Sequence, residues 1–296
     1  MTKELQVNVK PLIKKMETVL QKLSEARIMS KYRKIFKGKG LEFLEFREYR
    51  QDDDSSRIDW KATLKANKPL IKVFKEERDL DVYILLDVSN SMIFGSTEKL
   101  KSEYSVEIVA AISHIVLSTG DKAGLLMFSD RIKKVIPPIN TNYQYYAILK
   151  ACVDGNLYGG GLDFDMAIKY VMNIAKRESL LIIVSDFFGL NENWDNSLKI
   201  ASIKFDVIGI MVRDIRDEEL PRNIGKVLVK DPFSDREILI DPDLEAESYR
   251  AYTLEKKEQI KRVFTKYDSD FIEVKTNEDF VKPFLTLLER REIKLE

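Results

Sequence analysis

The segment Leu85-Leu-Asp-Val-Ser-Asn-Ser-Met delivers Asp87, Ser89 and Ser91 directly after a short apolar run. Alternate residues of a turn leaving a strand can point the same way, so one carboxylate and two hydroxyls can face one point in space. Hard oxygen ligands of this kind suit Mg²⁺ or Mn²⁺, ions that accept partial protein coordination and keep water or a partner's oxygen in the remaining positions. The same residues also suit an ordinary strand-to-helix turn, with the serines capping a helix and Asp87 satisfying loop amides. On the bare motif both readings stand. Two later segments weigh for a cation. Leu180-Leu-Ile-Ile-Val-Ser-Asp ends another apolar run at Asp186, and Tyr158-Gly-Gly-Gly-Leu-Asp-Phe-Asp carries Asp163 and Asp165 through a glycine-rich loop. A parallel sheet would put these loops at one edge, where gathered carboxylates repel unless a cation lies between them.

The elements needed to hold such an edge are visible as changes of period. Val82-Tyr-Ile-Leu-Leu-Asp, which ends at a carboxylate, Ala123-Gly-Leu-Leu-Met-Phe, Leu180 to Val184 and Phe205 to Val212, with Asp206 as its one charge, read as apolar strands. Helical spacing separates them over 98–118, 143–153, 164–175 and 196–202. Such apolar strands alternating with helices predict an α/β fold, a mainly parallel sheet covered on both faces. Ligands then bind at the carboxyl ends of the strands. Upstream, apolar residues from Leu5 to Leu23 predict a helix, and the stretch from Leu41 predicts a strand. Downstream, residues 226–241 read as a hairpin insertion, followed by a charged helix over 244–267, a strand at Phe271-Ile-Glu-Val and a last helix over 277–291. The expected division is an N-terminal segment, 1–79, and one domain, 80–296.

Composition narrows the function. The 296 residues carry 49 basic and 49 acidic side chains, a balance that does not favour nucleic-acid binding. The single Cys152 and single His114 exclude a metal cluster built of thiolates and imidazoles from this chain alone. The N-terminus has no apolar secretory core, and the longest fully apolar run, Leu180 to Val184, is far short of the ~20 residues of a membrane helix. A cytoplasmic protein without a membrane span is expected. His114 lies on the apolar face of a predicted helix, which leaves hydrolysis without its usual base, and Cys152 reads as a core thiol. Asp52-Asp-Asp reads as a solvated turn whose acids pair with Arg50 or Arg57, and Trp60 as a core anchor.

Asp87-Val-Ser-Asn-Ser has the DxSxS form of the metal-ion-dependent adhesion site of von Willebrand factor A-like domains, and the element order from Leu80 to Val212 resembles theirs. Gly38-Lys-Gly-Leu-Glu-Phe, Arg47-Glu-Tyr, Asp52-Asp-Asp-Ser-Ser-Arg-Ile-Asp-Trp-Lys-Ala and Ile71-Lys-Val-Phe-Lys-Glu-Glu-Arg-Asp-Leu resemble the family called domain of unknown function 58. The resemblance implies a von Willebrand A-like sheet with an N-terminal extension. It also implies Mg²⁺ or Mn²⁺ held at Asp87, Ser89, Ser91, Asp163 and Asp186, a non-enzymatic interaction with a protein carboxylate, and a MoxR-type AAA+ ATPase as partner. The glycine loop departs from the pattern. Leu162 stands where such domains usually place a Thr, so that oxygen falls to Asp163, Asp165 or water, or the site is weak or has lost its metal. Two other functions compete: a metal-dependent phosphohydrolase, which would want an acid where Ser89 stands, and a metal-free scaffold that works through its N-terminal segment.

Overall fold

The computed structural model describes residues 31–32, 35–36, 42–50, 53–75, 79–141, 143–234 and 236–294. The helix expected over 5–23, Gly38, Gly40 and Asp52 lie outside them. The described chain starts with a small antiparallel pair, β1 (Glu42–Glu48) and β2 (Leu70–Lys75), joined through the short helix α1 (Trp60–Ala66). Asp59 starts α1 by accepting the Ala62 N–H, and the Thr63 hydroxyl accepts the Leu70 N–H, so the helix is tied to both ends of its loop. One expectation fails in this unit. Trp60 is 67% exposed, and α1 buries none of its residues. About two turns of helix on a two-stranded sheet offer too little surface to enclose an indole. Asp53 pairs with Arg47 at 2.7 Å and accepts the Arg50 N–H at 2.8 Å, because the turn folds back on β1.

The main sheet has six strands in the order β10-β7-β6-β3-β4-β5. They are β3 (Asp81–Asp87), β4 (Lys122–Phe128), β5 (Ile132–Ile139), β6 (Leu180–Ser185), β7 (Asp206–Arg213) and β10 (Asp270–Lys275). All neighbours are parallel except the edge pair β4 and β5. The sequence reading passed over β5, whose Pro137 and Pro138 argue against a strand. An edge strand tolerates prolines because one side of its ladder needs no donors.

Among the described residues, six helices with complete bounds cover the sheet. They are α2 (Lys101–Ser118), α3 (Gln144–Cys152), α4 (Phe164–Ile174), α5 (Trp194–Lys204), α6 (Pro242–Lys266) and α7 (Val281–Lys294). Successive strand residues alternate between the faces. Val82, Ile84 and Leu86 pack under α2, α3 and α7, while Tyr83 and Leu85 pack under α4, α5 and α6. Each large aliphatic side chain enclosed this way contributes about 1.5–3 kcal/mol. Burial on both faces explains why the strands read as continuous apolar runs. Tyr32, from the N-terminal segment, joins the α2 side of this core. Between β7 and α6, β8 (Val227–Lys230) and β9 (Glu237–Ile240) form a separate hairpin, as expected from the sequence. Among the described residues no helix is long and apolar enough to cross a membrane.

Candidate metal and partner site

The parallel register sets Asp87 at the carboxyl end of β3, and β6, the strand beside it, ends at Ser185 with Asp186 following. The chain then turns sharply, so Ser89, Ser91 and Asp186 come within hydrogen-bonding reach of one another. Asp87 Oδ1 accepts the Ser89 N–H at 2.8 Å, and Oδ2 accepts the Ser185 hydroxyl at 2.6 Å. The Ser91 hydroxyl donates to Asp186 Oδ1 at 3.1 Å, and the Phe188 N–H donates to the same oxygen at 2.9 Å. Ser89 Oγ and Ser91 Oγ stand 3.1 Å apart. Asp87, Ser89, Ser91 and Asp186 are each at most 3% exposed.

A lysine completes the cluster. Lys101 Nζ lies 2.7 Å from Asp186 Oδ2 and 3.0 Å from Asp217 Oδ2, and its side chain is 3% exposed. Burial alone would lower its pKa, but the two carboxylates outweigh burial and raise it. Among the described residues no ammonium or guanidinium pairs with Asp87 in this way. Burial, and then the negative charge of Asp186, push its carboxyl up to about 7 against the hydrogen bonds from Ser185 and Ser89.

The glycine loop closes over the same turn. The Gly159 N–H donates to the Val88 carbonyl, and Asn90 exchanges two bonds with Gly160. Gly160 has φ +102°, and a Cβ there would lie 2.6 Å from the Asp130 carboxylate, so only glycine fits. Asp163 reaches this edge but caps α4, accepting the Met166 N–H at 2.9 Å. No hydrogen bond among the described residues joins its carboxylate to the serine pair. Asp165 accepts from Asn191 at 2.7 Å. Leu162 packs against the core beneath α4. The loop therefore brings no side-chain oxygen from the position where a Thr would have supplied one.

Sequence reasoning found Asp87, Ser89, Ser91 and Asp186, which the fold brings together, and missed Lys101, Ser185 and Asp217. One local signal for Lys101 existed: a lysine in the first turn of a helix opposes the macrodipole. His114 is half-buried against Tyr145, and the Cys152 thiol, fully enclosed, is pushed up to about 12 by burial.

The residues present fit a small divalent cation in one respect that can be measured. Adjacent ligands of an octahedral Mg²⁺ at about 2.1 Å lie about 3.0 Å apart, close to the separation of the two hydroxyls. Among the described residues no three of His, Cys, Asp and Glu converge as ligands, so hydroxyls and water would make up most of the shell.

Residues 45–261 match the family described as protein of unknown function DUF58. The chain belongs to this family. An uncharacterized protein of Mycobacterium tuberculosis strain H37Rv is 26% identical over 278 residues, 93% of this chain and 86% of the relative. An uncharacterized protein of Mycobacterium bovis gives the same figures. Among solved structures, the hypothetical protein BatB from Bacteroides thetaiotaomicron is 13% identical and covers 73% of this chain and 99% of its own, with a TM-score of 0.47. A von Willebrand factor type A protein from Catenulispora acidiphila is 16% identical and covers 62% of this chain and 43% of its own, with a TM-score of 0.31. In this DUF58 chain the DxSxS turn stands at the carboxyl end of β3, in the middle of the mainly parallel sheet.

Proposed function

We propose that the chain is a non-enzymatic protein-interaction module that engages a partner carboxylate through Mg²⁺ or Mn²⁺ held at Ser89 and Ser91, with Asp87 and Asp186 behind them. The observation that carries this reading is the 3.1 Å pair of hydroxyls backed by two buried carboxylates at the ligand-binding edge of the sheet. A cation held mostly by neutral oxygens stays electron-poor and accepts a carboxylate as its last ligand. The protein's own residues prepare that position. The Asp186 bond orients the Ser91 hydroxyl, Lys101 fixes Asp186, and Ser185 fixes Asp87. Asp163, as the α4 cap, anchors the glycine loop beside them.

The test is calorimetric titration of Mg²⁺ and Mn²⁺ into the wild type and into a Ser89→Ala, Ser91→Ala variant checked for folding. Saturable binding that the variant loses is expected. No heat from the folded wild type would overturn the metal reading. The first partner to test, on family resemblance, is a MoxR-type AAA+ ATPase, with assembly or maturation of another complex as the setting. Its capture from the native cell should be lost with chelator. A generic phosphoester turned over with Mg²⁺, and no longer turned over by Asp87→Ala, would instead make the protein a phosphohydrolase.

A further inference from the structure

The four candidate residues are almost fully enclosed, so a partner must move something to reach them. Neighbours of these residues in the chain, Asn90 and Phe188, are covered by a segment far along the chain. The Asn90 side-chain amide donates to the Pro232 carbonyl at 3.0 Å, and the Phe233 ring stacks on Phe188 with centroids 5.9 Å apart at 28°. Beneath that ring the backbone is glycine. Gly189 has φ +84°, and a Cβ there would lie 2.6 Å from the edge of Phe233. Pro232 and Phe233 belong to the tip of the β8–β9 hairpin.

The hairpin stands apart from the main sheet. It is a sheet of its own, two four-residue strands, and a ribbon of that size is marginally stable alone. Leu228, Val229, Ile238 and Leu239 are 62%, 43%, 64% and 62% exposed, so its apolar side chains build no core. The tip is nonetheless preformed. Asp231 accepts the Phe233 N–H at 3.0 Å and the Ser234 hydroxyl at 2.7 Å, which shapes the turn without help from the sheet. Phe188 remains 47% exposed with Phe233 upon it, leaving an open apolar foothold. Asn90 also holds the glycine loop, accepting the Gly160 N–H at 3.1 Å.

We propose that Asn90, Phe188 and Gly189 form a docking face for an aromatic residue of a partner protein, and that the hairpin tip occupies this face in cis until the partner displaces it. The occupant's chemistry is read from the tip: a backbone carbonyl for the Asn90 amide, followed by a ring that lies on Phe188. This deepens the reading of the adjoining serine and aspartate cluster as the partner site and rests on it.

Hydrogen exchange by mass spectrometry on the full chain tests the proposal. Phe233→Ala removes the ring, Gly189→Ala pushes it off, and Phe233→Tyr keeps it. Amides of 88–92 and 186–190 should exchange at least about fivefold faster in the first two variants, with β3 and β6 unchanged as proof of folding. Phe233→Tyr should behave as wild type. Millimolar N-acetylphenylalanine methylamide should restore protection in Phe233→Ala and leave the wild type unaffected. Unchanged exchange in both disrupting variants, or a failure of the probe to restore protection, would overturn the proposal. The readout needs no metal, so a wild type that binds no Mg²⁺ but shows this pattern defeats the metal reading and keeps the docking face.

Discussion

Asp87 and Asp214 are both fully buried at the carboxyl edge of one sheet, one at the end of β3 and the other just past β7, yet their environments drive them apart. Asp214 collects the Ser96 N–H at 2.9 Å, the Ser96 hydroxyl, the Arg216 N–H at 2.9 Å and the Thr276 hydroxyl at 3.3 Å. Burial works against its ionised form, but these donors outweigh burial and hold the carboxyl below the usual range. Asp87 collects two donors and faces Asp186, and its carboxyl is pushed up. The number of donors, set against the nearest charge, decides the outcome. Asp214 is a finished structural joint linking the loop after β3, the end of β7 and Thr276 beyond β10. Asp87 is short of positive charge, the property expected where a cation or a partner completes a site.

The contrast can be broken most severely through the charge that maintains it. Lys101→Met leaves buried Asp186 and half-buried Asp217 without their cation and is expected to cost about 3–5 kcal/mol in urea unfolding. Adding Asp186→Asn should recover part of that loss. Asp214→Ala strands the donors from Ser96, Arg216 and Thr276 and should cost about 2–3 kcal/mol by the same measurement. Asp87→Asn, tested without metal, relieves a repulsion while it keeps a polar partner for Ser185, so its effect should stay within about 1 kcal/mol of zero. An Asp87→Asn loss as large as that of Asp214→Ala would erase the distinction. The smallest effect is one of pH. Because the folded pKa of Asp214 is lowered, its ionised form contributes stability above the ordinary carboxylate value of about 3.9, and that contribution fades as pH falls through the lower folded value. The gap between wild type and Asp214→Ala should therefore be full at neutral pH and narrow in acid, as read by unfolding midpoints across a pH series.

Most of the sheet was legible because burial on both faces writes itself into sequence as unbroken apolar runs. Val82 to Leu86, Ala123 to Phe128 and Leu180 to Val184 became strands where expected. The elements that escaped notice were β5, with its prolines at an edge, and α1, whose apolar Trp60 and Leu64 stay in water. Those residues obey local turn and edge geometry, which hydrophobic period does not report. Asp87, Ser89, Ser91 and Asp186 were legible because strand ends deliver their side chains to a common edge. The cap that Asp163 makes on α4 and the core contact of Leu162 were not, since spacing alone reports neither.

The sequence by itself determined the strands, the two apolar faces and the carboxylates at the strand ends, because these follow from the pattern of burial along the chain. Only the tertiary structure decided that Lys101, 85 residues from Asp186, is the ammonium beside it, and that Pro232, 142 residues from Asn90, lies over the serine turn. Such contacts arise where separate loops close on one another, and their direction depends on backbone geometry and excluded water, which no local spacing encodes.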